Sequence, residues 1–254
     1  MVVVGAVAGW DRDAGAAEPI VAPSTLSPTV GSPVALDLNL PAAPGRARPG
    51  WDTANVAQAF VRTGGQQETL LPMLTATPGQ RAQFNPQAPG HLLLCFGLGP
   101  PDSRGHADSW QRVTHCTKIV LTVRSQKADP AEKLPPNPGI TAKTGQKIEI
   151  LPLIDPTGLR KGDHLPVRVY YEGVKVAGGR VSATVVPLAA PGTVLEVAAA
   201  RPTDAQGTTW LPITRAGRWR VRFVHQVEGE PEGGSRPRRY VAELIFEVPD
   251  GGRP

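Results

Sequence analysis

Side chains that commonly bind metal ions are concentrated in one polar stretch, residues 99–116. It carries His106, Asp108, His115 and Cys116, and imidazole, carboxylate and thiolate groups are ligands for zinc, nickel and copper. His115 and Cys116 are neighbours on a predicted strand and should point to opposite faces of a sheet. We therefore name His106, Asp108 and His115 as the candidate ligands of a transition metal ion. The alternative is an ordinary surface loop that binds no metal.

The two cysteines of the chain, Cys95 and Cys116, fall on two predicted strands that form a hairpin. A register that pairs Leu92 with Ile119 on the inner face places Cys95 opposite Cys116 on the outer face. Directly opposed residues lie within the range that a disulfide bridges. The sequence therefore predicts a Cys95–Cys116 disulfide, which would favour an exported protein. The alternative is two unlinked thiols on adjacent strands.

A stripe of arginines lies on the first strand of the last predicted hairpin. The register that brings the apolar residues of this hairpin together places Arg218 opposite Glu247 and Arg222 opposite Glu243. Arg220 completes the stripe on the same face. The functional interpretation is a phosphate-binding surface. Because both glutamates fall opposite arginines, we prefer a solvated sheet face with cross-strand ion pairs.

Motifs of common enzyme classes are missing from the sequence. It has no GxSxG elbow, Walker loop, GxGxxG after a strand, HExxH or EF-hand loop. We therefore name no catalytic residues and expect no enzyme, and we expect no cofactor unless the metal hypothesis holds. The net charge of +5 is scattered rather than collected in a basic run, which argues against nucleic-acid binding. No apolar stretch is long enough for a transmembrane helix.

The first residues resemble part of a secretory signal. Residues 2–9 are apolar and contain Ala6-Val7-Ala8, a small-residue pattern of the kind found at cleavage sites, but they lack the preceding basic region. The export signal is thus incomplete. We expect a periplasmic or cell-envelope location.

Composition and pattern predict an all-β fold. The chain of 254 residues has 28 Gly and 28 Pro, and its apolar residues alternate in short runs between Gly, Pro and Asp breaks. Strands of this spacing are typical of antiparallel sandwiches. We predict two tandem Ig-like β-sandwich domains joined by a Pro-rich linker. The predicted parts are an extended N-terminal arm over 1–30, a sandwich over 31–124, the linker over 125–140, a second sandwich over 141–249 and a tail over 250–254.

The second half resembles a bacterial family of unknown function. The resemblance is carried by the segments 148–163 (IEILPLIDPTGLRKGD), 171–177 (YEGVKVA), 203–207 (TDAQG) and 216–219 (AGRW). That family has an Ig-like or carboxypeptidase-regulatory-like fold and was formerly described as a periplasmic component of nickel or cobalt uptake. The resemblance implies a sandwich over residues 145–248 and, as one alternative, a metal-handling function. Its members usually carry a histidine-containing segment near the mature N-terminus, whereas the first histidine here is His91.

Taken together, these features favour a non-enzymatic structural or interaction protein of the bacterial cell envelope. We expect an accessory subunit of a membrane-associated complex that binds other protein subunits through its sandwich loops and N-terminal arm. The alternative is a periplasmic metal-handling accessory protein of the nickel or cobalt type. A third class, a carbohydrate-binding module, needs an exposed aromatic platform, for which Trp51 and Trp110 are the candidates.

Overall fold

The structure is a computed structural model, and it describes residues 20–39, 56–70, 73–75, 81–99, 113–127, 134–186, 196–227 and 238–250. In these ranges the regular elements are β-strands, apart from one 3₁₀ turn at Pro156–Gly158. The all-β prediction is therefore confirmed. The strands are β1 (Ile20–Pro23), β2 (Val34–Asn39), β3 (Val56–Thr63), β4 (Gln66–Thr69), β5 (Leu74–Thr75), β6 (Ala82–Phe84), β7 (Gly90–Leu98), β8 (Val113–Val123), β9 (Ile148–Pro152), β10 (His164–Tyr171), β11 (Val174–Lys175), β12 (Arg180–Val186), β13 (Glu196–Pro202), β14 (Thr208–Pro212), β15 (Gly217–Val227) and β16 (Arg238–Val248).

A single eight-stranded sheet runs through both halves of the chain, in the order β13-β12-β15-β16-β8-β7-β3-β4. Its middle pair joins β16, from the second half, to β8, from the first, and these two strands are parallel. We call this pairing the seam. The tandem arrangement is therefore not confirmed, because strands of both halves form one continuous sheet.

Two smaller sheets cover opposite faces of this large sheet. One has the order β1-β2-β6-β5, and its apolar residues pack with Leu94, Ile119 and Leu121 of the large sheet. The other contains β11, β10, β14 and β9, and it packs with Trp219, Phe223 and other residues of the opposite face. Because successive strand residues point to opposite faces, β7 and β8 contribute to both cores. This explains why β7 is apolar at most positions and why β8 carries apolar residues on both faces, such as Ile119 and Val120.

The segment predicted as a linker packs against the first half where it is described. The Asn137 side chain donates hydrogen bonds to the backbone carbonyls of Arg62 and His91, at 3.0 and 2.8 Å. Ile140 is fully buried in the core between the large sheet and the second small sheet. Residues 134–140 therefore form part of the packed structure rather than a spacer.

The N-terminal arm also has partners where it is described. Strand β1 pairs with β2, and Leu26 is buried. The Leu26 carbonyl accepts a hydrogen bond from the Thr122 backbone at 2.8 Å. Residues 20–30 are thus anchored to the first small sheet and to β8. This part of the predicted extended arm is packed against the rest of the fold.

The two predicted hairpin registers have different outcomes. The last hairpin is confirmed, since Arg218 lies opposite Glu247 and Arg222 opposite Glu243. In the first half, Leu92 pairs with Leu121 rather than with Ile119, so that prediction was wrong by two residues. A shift of two preserves which face each side chain occupies but changes its partner.

Candidate functional site

The candidate metal ligands are not brought together in the described residues. His106 and Asp108 lie outside them. His115 lies on β8 with a fully buried side chain, and its Nε2 is 3.1 Å from Oε2 of Glu243. His115 therefore lies on a strand inside the fold, beside a carboxylate, rather than in a surface loop. A metal site formed by His106, Asp108 and His115 stays a prediction. Within the described ranges, no three His, Cys, Asp or Glu side chains are grouped to hold a metal ion.

Glu243 of β16 is the centre of a buried charged cluster, on the face of the large sheet that also carries His115. Arg220 donates to its carboxylate through Nε at 2.7 Å, and Arg222 Nε lies 3.7 Å from it. Burial acts to raise the pKa of Glu243, but the neighbouring His115 and Arg220 outweigh burial and hold the pKa at about 2. The interpretation of this face as merely solvated is therefore wrong for Glu243, which is 1% exposed.

Arg218 completes the arginine stripe but does not pair with the glutamate opposite it. Its guanidinium donates to the backbone carbonyls of Pro23 and Ser24, at 3.1 and 3.2 Å. Glu247 instead accepts a hydrogen bond from the Ser27 hydroxyl at 2.8 Å. Arg218 and Glu247 thus connect β15 and β16 to residues 23–27, which include the end of β1 in the first small sheet. This part of the arginine stripe therefore holds the two halves of the chain together.

A second buried ion pair lies on the opposite face of the large sheet. Lys118 of β8 donates to Glu149 of β9, a strand of the second small sheet, at 2.5 Å, and both side chains are almost fully buried. The same carboxylate accepts hydrogen bonds from the backbone and hydroxyl of Thr144, at 2.7 and 3.0 Å. Each of the two buried carboxylates is therefore paired with a side chain from the other half of the chain, Glu243 with His115 and Glu149 with Lys118.

The cysteines are buried, free thiols in the structure. In the observed register Cys95 lies opposite Lys118, and Cys116 lies opposite Gly97. The two cysteines are therefore diagonal neighbours. The direct opposition from which the disulfide was predicted is not the observed register. Burial raises the pKa of the Cys95 thiol to about 12 and that of the Cys116 thiol to about 11. Thiols with these values are protonated and poorly reactive at neutral pH.

The exposed candidate site surrounds the hairpin turn between β10 and β11, where Glu172 and Gly173 both have positive φ values of 49° and 78°. This pattern matches a two-residue turn of the kind that suits the twist of a hairpin. We call the surrounding side chains the lysine–tyrosine patch; its members are Lys143, Lys147, Tyr170, Tyr171, Glu172, Lys175, Arg238 and Tyr240.

On one side of the turn, the patch combines a cation, a carboxylate and two phenols. Lys147 Nζ lies 3.1 Å from the Glu172 carboxylate and 5.1 Å from the centre of the Tyr240 ring. The Tyr171 and Tyr240 ring centres are 4.9 Å apart. The hydrogen bond to Glu172 raises the pKa of Lys147. Burial acts to raise the pKa of Tyr240, but hydrogen bonds from Tyr171, Lys147 and Arg238 lower it overall.

On the other side of the turn, Lys143 is the central cation. Its Nζ lies 3.8 Å from the centre of the Tyr170 ring and donates to the Gly173 carbonyl at 3.2 Å. Lys175 lies directly opposite Tyr170 on β11. Ammonium groups held against aromatic faces keep their charge while their stems cover apolar surface. The sequence does not indicate this patch, because its members are distant in the chain, although Tyr170-Tyr171-Glu172-Gly173 before a second strand is a signal for a hairpin turn.

A second exposed feature is Trp210 on β14, which is 58% exposed. It lies opposite the buried Pro166 on the outer face of the second small sheet. The two aromatic residues named as platform candidates, Trp51 and Trp110, lie outside the described residues. Trp210 falls on a predicted core strand, so the sequence does not single it out as part of an exposed aromatic platform.

A family model described as "Domain of unknown function (DUF4198)" matches residues 14–227. The chain belongs to this family. The match extends over most of both halves, whereas the resemblance noticed in the sequence was confined to the second. No curated protein matches the chain. Among solved structures, one named "Marsupial T cell receptor" is aligned over 94% of this chain and 74% of its own, with 11% identity and a TM-score of 0.27. That score is too low to support any argument about fold or function.

Within the described residues, no helix combines the length and apolar character needed to cross a bilayer.

Proposed function

We propose that this protein is a non-enzymatic interaction protein of the bacterial cell envelope, acting as an accessory subunit of a membrane-associated complex. The observation that carries the proposal is the lysine–tyrosine patch. Its exposed cations surround a rigid hairpin turn and are backed by tyrosine rings, and a concentrated surface charge of this kind attracts a partner surface of opposite charge. Lys143, Lys147 and Arg238 are all exposed there.

The buried charged groups support the same proposal, because each is used inside the fold. Glu243 is paired with His115 and Arg220, and Glu149 is paired with Lys118. Charges that are buried and paired in this way hold structural elements together. The charges available to a partner are therefore those at the surface, of which the lysine–tyrosine patch is a dense group.

Isolation of the tagged chain from native membranes after chemical crosslinking tests the proposal. We expect at least one other protein to be recovered in a fixed ratio with the chain, and we expect the chain in the envelope fraction. Recovery of the chain alone, with its surface lysines uncrosslinked to any second protein, would refute an accessory-subunit function. A tagged periplasmic protein of similar size and charge serves as the control for nonspecific crosslinks.

A further inference from the structure

The lysine–tyrosine patch holds more positive charge than its own carboxylate neutralises. Lys143, Lys147, Lys175 and Arg238 are exposed around the turn, and Glu172 is the described carboxylate that pairs with one of them. The nearby Asp204 is used differently, since its Oδ1 accepts hydrogen bonds from the backbone of Gln206 and Thr208 at 2.8 and 2.9 Å. The surface around the turn is therefore basic.

Glu172 shows which chemical group this surface accepts. Its carboxylate contacts Lys147 at 3.1 Å, although its side chain is 55% exposed. An exposed ion pair of this kind is worth little, because water competes for both partners. A carboxylate from outside can therefore replace Glu172 at small cost and gain the same cation.

Two tyrosine rings hold the cations of the patch in place. Tyr170 and Tyr240 each hold a lysine ammonium against the ring face, at 3.8 and 5.1 Å from the ring centres. These contacts fix the positions of the two cations on either side of the turn, so the lysines lose less freedom when they bind a ligand. Two cations held in this way, on either side of one turn, can each pair with a carboxylate of an extended acidic segment.

We propose that the lysine–tyrosine patch is the docking surface for an acidic segment of a partner protein, one carboxylate of which replaces Glu172 at Lys147. The proposal rests on the proposed function and specifies the chemistry of the partner. It predicts opposite effects for two substitutions within the same ion pair. Removing the cation weakens binding, and removing the internal carboxylate strengthens it.

Isothermal titration calorimetry with a terminally blocked hexaglutamate peptide tests this inference on the full chain. Relative to the unaltered chain, Lys147→Met should weaken binding by about fivefold and Glu172→Gln should strengthen it by a similar factor, as expected for exposed charge pairs. Lys147→Arg should restore most of the binding. Lys161→Met, which removes an exposed lysine outside the patch, should change affinity by less than about twofold.

Three results with hexaglutamate would overturn the inference. They are no measurable binding of hexaglutamate at low salt, equal effects of Lys147→Met and Lys161→Met, and weaker binding by Glu172→Gln. Tighter binding of a single-stranded oligonucleotide with the same dependence on Lys147 would also overturn it, because the ligand would then be a nucleic acid. Thermal unfolding of each variant checks that the fold is intact, and the exposed positions should leave the midpoint nearly unchanged.

The crosslinking experiment separates this inference from the proposed function. If a partner is recovered equally well with the unaltered chain and with Lys147→Met, the accessory function stands and the acidic-segment inference fails. If hexaglutamate binds as expected but no partner is recovered from membranes, the patch chemistry stands and the accessory-subunit function fails.

Discussion

Replacement of Glu243 by Gln removes the charge at the centre of the buried cluster while keeping the size of the side chain. The pKa of Glu243 is about 2, compared with 4.5 for the free side chain. Since one pKa unit corresponds to roughly 1.4 kcal/mol, ionised Glu243 contributes about 3 kcal/mol to the free energy of unfolding at neutral pH. We expect Glu243→Gln to lose about this amount at pH 7, because the buried His115 and partly buried Arg220 would keep no ionised partner.

The dependence on pH gives the sharper test. A carboxyl group whose pKa is lowered by folding stabilises the fold above its unfolded pKa, and this contribution is lost as the pH falls towards the folded value. The difference between the unaltered chain and Glu243→Gln should therefore be fully present above about pH 5, and about half of it should remain near pH 3. Below about pH 2 the pH-dependent difference should vanish.

Urea unfolding followed by tryptophan fluorescence measures both quantities, since Trp219 is completely buried. Glu68→Gln is the matched control, because Glu68 lies exposed on the edge strand β4. It should change the free energy of unfolding by less than about 0.5 kcal/mol. A loss below about 1 kcal/mol for Glu243→Gln at pH 7, or an equal loss at pH 7 and pH 3, would refute the assignment of Glu243 as an ionised, paired group.

Three further outcomes are expected. Cys95 and Cys116, buried and with thiol pKa values of about 12 and 11, should react with a thiol reagent at pH 8 only after denaturation. A native protein two mass units lighter than the reduced chain would contradict this. Gly217→Ala should destabilise the fold by several kcal/mol, about 3 or more, since its φ is 149° and a Cβ would lie 2.5 Å from the Val186 carbonyl oxygen. Gly158→Ala, with nothing within 4 Å of the added Cβ, is its control in the same thermal unfolding assay. The isolated fragment 141–254 should show no cooperative unfolding transition by circular dichroism, because β16 loses its parallel partner strand; a sharp transition would show that the second half is an independent domain.

The last hairpin could be predicted to the residue because its two faces differ in chemistry. Trp219 faces Phe246 on the apolar side, whereas Arg222 faces Glu243 on the other. A shift of one residue would mix these sets, and a shift of two would leave only one of the two glutamates, Glu243 and Glu247, opposite an arginine, so the pattern favours a single register. The alternation of apolar and charged residues thus predicts which residues of β15 and β16 lie opposite each other.

The first hairpin could not be predicted as well because β7 is apolar on both faces. Its Leu92, Leu93 and Leu94 are all buried, so a shift of two residues exchanges one apolar partner for another. The run of apolar residues at successive positions of β7 is nevertheless a signal in its own right. Such a run is typical of a strand covered on both faces, as β7 and β8 are.

The buried charges were beyond prediction from one sequence because their partners are distant in the chain. Glu243 meets His115, and Lys118 meets Glu149, only once both halves are assembled. Neither the spacing nor the local pattern around these residues indicates such pairs. Lys118 is 1% exposed between Cys116 and Val120 on the same strand face, and its partner Glu149 lies 31 residues further along the chain.

The position of β8 between β7 and β16 also has a consequence during synthesis on the ribosome. β7 can pair with β8 as soon as both have been made, but β16 follows more than a hundred residues later. Until then β8 presents an open edge whose backbone groups and apolar side chains are available to other chains, a state prone to aggregation. Newly made chains would therefore benefit from a chaperone that shields this edge until translation of the last strand is complete.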